Sequence, residues 1–163
     1  MRLRTSRLVL RPIVASDADV VWSWRGSLPA VSLPGMRRFV RGVRRDPTRH
    51  TFIALAAGEP VGMFRIYERG LNDADIGCVL ARPAQGLGYG TEGARALLDF
   101  GFRRLKLHRI WADCDVDNVR SIRLMTKLGM KREGRLREHR LVGRTWRDSL
   151  LFAILDHEWK RFR

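Results

Sequence analysis

A glycine-rich stretch, Gln85 to Gly93, comes just before a segment with helical periodicity. Glycines let a backbone approach a ligand closely with its N–H groups unobstructed. Where such a turn opens into a helix, the unpaired N–H groups and the positive end of the helix dipole favour an anion, most often a phosphate. The sequence therefore predicts that main-chain amides bind a phosphate-containing ligand at the start of a helix that runs from Gly90 onward.

The same glycines allow a dinucleotide site as an alternative. Gly88, Gly90 and Gly93 satisfy the G-x-G-x-x-G spacing, and Asp113 lies 20 residues after Gly93, where a ribose-binding acid is expected. A dinucleotide fold places its glycines directly after the strand, whereas Arg82 to Gln85 intervene here. An NAD(P)-binding oxidoreductase is thus the runner-up. The nucleotide-triphosphate loop is excluded because no Lys-Ser/Thr pair follows the last glycine.

Two ordered motifs resemble the GNAT superfamily of N-acetyltransferases, and in particular the branch that acetylates the N-termini of ribosomal proteins. The first is Gln85-x-x-Gly88-x-Gly90 at a strand-to-helix junction, which looks like the acyl-CoA pyrophosphate loop of that family. The second is Asn118-x-x-Ser121, followed by Lys127-Leu128-Gly129-Met130. The flanking phrases Ile76 to Leu80 and Gly90 to Gly93 are also similar, so that the resemblance covers nearly the whole chain, from Arg7 to Trp159.

The resemblance implies an enzyme that uses acetyl-CoA and transfers the acetyl group directly to a primary amine. The acceptor would be a protein N-terminal α-amine or a small amine such as a metabolite or an antibiotic. The N–H of Val79 would face the thioester oxygen. Asn118 would hydrogen-bond the pantetheine or order a water near the sulfur, and Ser121 would protonate the departing thiolate. Alternatively, Asn118 is only a helix N-cap and Ser121 only a small residue beside the cofactor. The cofactor-binding residues implied are Val79, Leu80, Ala81, Gln85, Gly86, Leu87, Gly88, Tyr89, Gly90, Thr91, Asn118 and Ser121.

The sequence departs from the wider family at Met125, where many relatives have a tyrosine as general acid. Protonation of the thiolate therefore falls to Ser121 or to water. Asp75, expected at the head of the central strand, is the candidate base; the alternative carboxylates are Asp113, Asp115 and Asp148. An α-amine, with a pKa of about 8, costs only about 1 kcal/mol to deprotonate at neutral pH, against roughly 4 kcal/mol for a lysine-like amine. A site without a strong buried base therefore suits an α-amine.

Charge and composition limit the partners. The 163 residues include 32 Lys or Arg and 17 Asp or Glu, which gives a net charge of +15. Such a surface favours a polyanionic cofactor and disfavours a polyamine acceptor. RNA or the ribosome is an additional partner, and a non-catalytic basic RNA-associated module is a further alternative function. The arginines expected to make this contact are Arg37, Arg38, Arg44 and Arg45.

Other features indicate a cytoplasmic protein. No apolar run reaches 18 residues, so no membrane span is expected. Met1 to Arg7 are not followed by the long apolar region of a signal peptide. Cys78 and Cys114 are expected to be buried, inert thiols, and no Cys or His spacing suggests a metal site. The chain is expected to be a monomer or a homodimer.

Periodicity and turn signals predict one α/β (α+β) domain over residues 1–163. Expected is a mixed, mostly antiparallel twisted sheet of six or seven strands with helices on both faces, the acyl-CoA N-acyltransferase fold that the resemblance implies. Two proline-containing segments, Leu28-Pro29 and Leu33-Pro34-Gly35, are expected as loop. The predicted strands are Leu8–Ile13, Thr51–Ala57, Pro60–Tyr67, Ile76–Ala81, His108–Asp115 and two that are linked near Gly143.

Overall fold

The computed structural model describes residues 1–24 and 32–162. Within them, eight strands form one sheet in the order β1-β2-β3-β4-β5-β6-β8-β7. Neighbouring strands are antiparallel except β5 and β6. The mixed, mostly antiparallel sheet is confirmed, with eight strands rather than six or seven, because the two-residue β1 is too short to produce a periodic pattern. The strands are β1 (Leu3–Arg4), β2 (Val9–Pro12), β3 (Arg49–Ala56), β4 (Glu59–Gly70), β5 (Asp73–Leu80), β6 (Arg109–Asp115), β7 (Lys131–Val142) and β8 (Thr145–Leu155).

Helices cover both faces of the sheet, as expected. Phe52 packs in the core beneath α3 and α4, and its neighbour Ile53 packs in a second core beneath α1 and α2. Successive strand residues point to opposite faces, so the two cores lie on opposite sides. No described helix is long and apolar enough to cross a membrane. The helices are α1 (Asp17–Ser23), α2 (Leu33–Arg45), α3 (Tyr89–Arg103), α4 (Val119–Lys127) and α5 (Asp156–Phe162).

The helix α2 begins earlier than predicted. Leu33-Pro34-Gly35, expected as loop, forms its first turn. The Ser32 hydroxyl caps this turn by accepting a hydrogen bond from the Gly35 N–H at 3.2 Å. A proline fits here because the N–H that it lacks would have no helical partner. The other expected loop, Leu28-Pro29, lies outside the described residues.

Two glycines allow α3 to lie close to the sheet. A Cβ on Gly93 would lie 2.3 Å from the Phe64 ring, and one on Gly101 would lie 2.6 Å from the Ile110 side chain. Packing thus accounts for Gly93, the third glycine of the G-x-G-x-x-G spacing. The described sheet also has a single parallel pair instead of the repeated parallel units of a dinucleotide fold. The architecture therefore does not support the oxidoreductase alternative.

Candidate functional site

The parallel strands β5 and β6 run together only at their beginnings. Asp73–Asp75 pair with Arg109–Trp111, and the described chain shows no pair beyond these. On its other side β5 remains paired with β4 as far as Leu80. Residues 76–80 of β5 therefore have one open edge that faces β6. An extended ligand can form main-chain hydrogen bonds with such an edge, in the manner of an added strand.

The pairing with β4 determines which main-chain groups of β5 face this opening. The N–H of Ala81 donates to the carbonyl of Val61 at 3.0 Å. Because N–H groups alternate in direction along an antiparallel strand, the N–H of Val79 also faces β4. The carbonyl oxygen of Val79 points the same way, 2.8 Å from where a Cβ on Gly62 would lie. The N–H of Val79, expected to face the thioester oxygen, therefore does not lie on the open edge; the N–H of Cys78 faces the opening.

A glycine turn links β5 to α3. Gly86 has a φ of +80° and Gly88 a φ of +85°, values that favour glycine. The first hydrogen bond of α3 runs from the Glu92 N–H to the Gly88 carbonyl at 3.1 Å. The amides of residues 89–91 therefore have no acceptor within the helix. Together with the helix dipole, they form a cradle suited to an anion at the end of the open edge of β5.

Gln85 connects this turn to two other elements. Its Nε2 donates to the carbonyl of Leu80 at 3.3 Å, and its Oε1 accepts from Arg120 Nη1 at 2.5 Å. Arg120 belongs to α4, so that a guanidinium group lies beside the cradle. The sequence motif includes Gln85 but gives no reason to single out Arg120.

The N-terminal segment holds the cradle from the opposite side. The Glu92 carboxylate accepts hydrogen bonds from Thr5 Oγ1 at 2.6 Å, from Ser6 Oγ at 3.1 Å, and from Arg7 N and Nε at 2.8 and 2.7 Å. Burial by itself would raise the pKa of this carboxyl, but the hydrogen bonds outweigh it and hold the pKa at about 2. Glu92 is therefore ionised over the whole physiological range.

Arg7 also contacts the turn itself. Its Nη1 donates to the Leu87 carbonyl at 3.0 Å, and its guanidinium lies over the Tyr89 ring, 4.8 Å from the centroid. Sequence reasoning missed this anchor because Arg7 and Glu92 are 85 residues apart. No local pattern relates two such positions.

The second motif lies at the start of α4. Asn118 Oδ1 accepts a hydrogen bond from the Ser121 N–H at 3.1 Å, so Asn118 is an N-cap. This leaves the amide NH₂ of Asn118 and the Ser121 hydroxyl without protein partners among the described residues. The side chains of Leu80 and Leu124 lie 3.5 and 3.9 Å from the Cβ position of Gly90. The start of α3, the middle of α4 and the end of β5 therefore meet at one place.

Asp75, expected at the head of its strand, lies inside it. β5 begins at Asp73, and the residue Asp75 is 3 % exposed. Its carboxylate forms ion pairs with both Arg65 and Arg69. Both carboxylate oxygens of Asp75 thus contact guanidinium groups, and these contacts weigh against a role as base.

The three alternative carboxylates also have arginine partners. The Arg147 guanidinium holds the pKa of Asp115 at about 2. A hydrogen bond from the Glu138 N–H, together with one from Arg135, lowers the pKa of Asp148. Neither carboxylate is adjusted to accept a proton near neutral pH. Asp113 has a different environment, which is described below.

Met125 and Cys114 are part of the core, whereas Cys78, expected to be buried, is only partly buried. Met125 is buried and packs in the core beneath α3 and α4, against which Cys78 also packs. Cys114 is buried in the same core. Desolvation raises the pKa of both thiols to about 11, so that they are neutral at physiological pH. Met125 has no ionisable group with which to replace the tyrosine of many relatives.

The fold, with a split strand pair that leads to an amide-lined cradle, is that of an N-acyltransferase. The sequence profile of the acetyltransferase (GNAT) domain matches residues 7–131. The chain belongs to the GNAT acetyltransferase family.

The similarity to two of these proteins covers nearly the whole chain. An uncharacterized N-acetyltransferase of Bacillus subtilis, YnaD, is 29% identical over 98% of this chain and 99% of its own length. The crystal structure of a GNAT-family acetyltransferase from Bacillus anthracis is 28% identical, has a TM-score of 0.86 and matches 96% of this chain and 99% of its own.

Two relatives whose names state an acceptor match over shorter regions. The spermidine N(1)-acetyltransferase of Escherichia coli is 25% identical over 70% of this chain and 62% of its own length. The alanine N-acetyltransferase of ribosomal protein uS5, from the same species, is 31% identical over 52% of this chain and 43% of its own length. The two names give different acceptors.

Proposed function

We propose that this chain is an acetyl-CoA-dependent enzyme that acetylates the α-amino group at the N-terminus of a protein or peptide, by direct transfer with both substrates bound. The observation that supports this best is the open edge of β5, residues 76–80, which ends at the amide cradle of residues 89–91. Coenzyme A fits such a site because it combines an amide-containing arm with a diphosphate. Bound acetyl-CoA supplies the acetyl group as a thioester.

Three parts of the site have separate roles in the proposed reaction. The amides of Gly86 to Thr91 bind the diphosphate, and the β5 edge, which leads to Leu80 and Ala81, aligns the extended arm. The N–H of Cys78 lies on the open edge and stabilises negative charge on the carbonyl oxygen during transfer. Asn118 and Ser121 lie at the start of α4, where the free amide group and hydroxyl donate hydrogen bonds towards the sulfur.

We take the face of the sheet towards α1 and α2, opposite α3 and α4, as the side on which the acceptor binds. The charge on this acceptor side favours an α-amine over a polyamine. Gly77 lies in the open part of β5 on the face towards α1 and α2, and a Cβ on it would lie 3.0 Å from Arg65 Nε. Arg65 and Arg69 share one carboxylate, that of Asp75, so this group has a net positive charge. A polyamine with several charges is repelled there, whereas an α-amine has a single charge and costs only about 1 kcal/mol to deprotonate.

An acetyl-transfer assay over a panel of acceptors tests the proposal. The panel contains short peptides with a free α-amine, the same peptides with the α-amine blocked and a lysine present, spermidine, and an aminoglycoside. We expect release of free CoA with the unblocked peptides and a mass gain of one acetyl group at their N-terminus. Preferential turnover of spermidine would contradict the acceptor class. The absence of turnover, with no thermal stabilisation by acetyl-CoA, would contradict the function itself.

Substitution of Asn118 or Ser121 by alanine is expected to lower kcat by roughly ten-fold or more, because each removes a donor near the leaving sulfur. Loss of the Asn118 N-cap alone costs about 1 kcal/mol of stability, so the effect on kcat must be distinguished from an effect on stability. Asn118→Asp keeps the capping oxygen but loses the NH₂ group, and Thr126→Ala removes a hydroxyl one turn further along α4 as a matched control. Steady-state kinetics with a fixed peptide measure the effect; unchanged rates in both alanine variants would remove the assignment.

We also propose that α2 contacts RNA, such as that of the ribosome. The sequence from Val20 to Arg45 contains no acidic residue. The α2 arginines are exposed, opposite the buried Met36, Val40 and Val43, and only Arg37 pairs with a described carboxylate, that of Asp19. Arginines on one helix face provide the electrostatic term of phosphate binding. The exposed arginines of α2 are Arg37, Arg38, Arg41, Arg44 and Arg45.

Reversal of three of these charges, in the combined variant Arg38→Glu, Arg41→Glu and Arg45→Glu, is expected to weaken RNA binding by at least roughly ten-fold and to reduce its salt dependence. Turnover of a short peptide should not change. The matched control reverses exposed arginines elsewhere with the same change in net charge. Filter binding at two salt concentrations measures the effect, and equal losses in the two variants would show that only net charge matters. The control arginines are Arg132, Arg144 and Arg161.

A further inference from the structure

The strand β7 contains an irregularity that directs a histidine towards the sheet opening. Its register with β8 shifts between Leu136 and Arg140. Within this bulge Glu138 has a φ of +47°, uncommon for a residue with a side chain. The Glu138 N–H donates to Asp148 Oδ1 at 2.8 Å, which holds the bulge in place. Bulges occur beside active sites because they redirect a side chain at the cost of backbone strain.

The redirected side chain is that of His139. Its Nδ1 lies 3.1 Å from Ser149 Oγ and 3.6 Å from Asp113 Oδ2. Ser149 is fully buried, and the side chain of Asp113 is 10% exposed. Arg140 Nη2 lies 2.7 Å from the same Asp113 oxygen. This is an ionic contact without hydrogen-bond alignment, so the buried oxygen accepts no hydrogen bond from any described residue.

This cluster lies at the opening and on its acceptor side. The last β6 residue paired with β5 is Trp111, and Asp113 is the next residue on the same face. Ala112 and Cys114 point into the core beneath α3 and α4. Asp113 therefore points to the opposite face of the sheet, as Gly77 does on β5.

The contacts of His139 involve Nδ1 and leave the other ring nitrogen, Nε2, available to accept a proton. With its proton on Nδ1, the ring donates to Ser149 Oγ and turns that proton towards the Asp113 carboxylate, which leaves the lone pair on Nε2. The His139 side chain is 40% exposed, so Nε2 can exchange protons with water. The charged groups near the ring are Asp113, its partner Arg140 and the more distant Asp148, whose carboxylate is occupied by Arg135 and the Glu138 N–H.

We propose that His139 accepts, through one water, the proton that the acceptor's ammonium group loses before attack, and that Asp113 is the positioning residue for this histidine. The inference rests on the proposed function. The amine nitrogen forms its bond to the acetyl carbon as the carbon–sulfur bond breaks. Its first proton passes to His139 and from there to solvent, and its second is transferred, through Ser121 or water, to the departing sulfur.

The pH dependence of His139→Gln tests this proposal. With an α-amine peptide, kcat/KM should fall by about ten-fold near pH 7, where most of the amine must first lose a proton. The deficit should shrink to less than about two-fold well above the acceptor's pKa of about 8, because the neutral amine then needs no base. The Kd for acetyl-CoA should stay unchanged. His157→Gln, at an exposed histidine of α5, is the control and should behave like the wild type. A deficit that is equal at every pH, or no deficit, would overturn the proposal.

A second measurement needs neither substrate nor turnover. Imidazole ¹⁵N NMR of the free protein should show the Nδ1–H tautomer for His139, and Asp113→Asn should shift it towards the Nε2–H form. A predominant Nε2–H tautomer in the wild type would overturn the assignment. Because this readout is independent of acetyl transfer, failure of the proposed function and failure of the His139 assignment are distinguishable.

Discussion

The variant Gly88→Val should bind acetyl-CoA with a Kd at least about 100-fold higher than that of the wild type, and its turnover should fall as well. Gly88 has a φ of +85°, and a Cβ there would lie 3.1 Å from Arg7 Nη2. A side chain in this region costs roughly 1–2 kcal/mol, so the turn changes conformation. The amides of residues 89–91 then no longer point to one place. Loss of two hydrogen bonds to a charged diphosphate, at roughly 1.5 kcal/mol each, corresponds to about two orders of magnitude in Kd.

Isothermal titration with acetyl-CoA measures this effect, and Gly58→Val provides the matched control. Gly58 has a φ of +89° in the turn between β3 and β4, where a Cβ would meet no atom within 4 Å. The two substitutions therefore impose a similar backbone strain, but only one disturbs the cradle. If both variants bound acetyl-CoA equally well, the cradle would not be the diphosphate site.

The second large effect concerns stability. Glu92→Ala removes a carboxylate that accepts hydrogen bonds from Thr5, Ser6 and Arg7. Hydrogen bonds to charged groups contribute about 1.5–3 kcal/mol, so we expect the free energy of unfolding to fall by about 2–3 kcal/mol. For a domain of this size the corresponding drop in Tm is roughly 5–10 °C. Acetyl-CoA affinity should fall as well, because Arg7 loses the contact that holds it against the turn.

The difference in the free energy of unfolding between the wild type and Glu92→Ala depends on pH through the pKa of Glu92. The folded-state pKa of about 2 lies below the ordinary value of 4.5. The contribution of Glu92 is therefore fully present above about pH 4.5 and is lost as the pH falls towards 2. Denaturant unfolding of the wild type and Glu92→Ala at neutral and acid pH measures the change. Glu59→Ala, at an exposed residue of β4, should show neither effect; a Glu92 difference that stays constant in acid would contradict this account.

Much of the fold could be predicted because its signals are local. Apolar runs and turn signals indicated β2 to β8, and a glycine turn before a periodic segment indicated α3. The helix between β5 and β6 is the connection that parallel neighbouring strands require. The start of α2 and the short β1 were missed, because Pro34 is as compatible with a first helical turn as with a loop and β1 has only two residues.

The glycine turn, Gln85 to Thr91, and the motif Asn118-x-x-Ser121 could be recognised without a structure, since both are contiguous and their chemistry depends on residue type and spacing. Features that depend on strand register or on distant contacts became visible only in the folded chain. The ladder with β4 turns the N–H of Val79 away from the opening, and a bulge in β7 brings His139 to Asp113. Register and bulges are set by packing across the whole sheet, which no short stretch of sequence encodes.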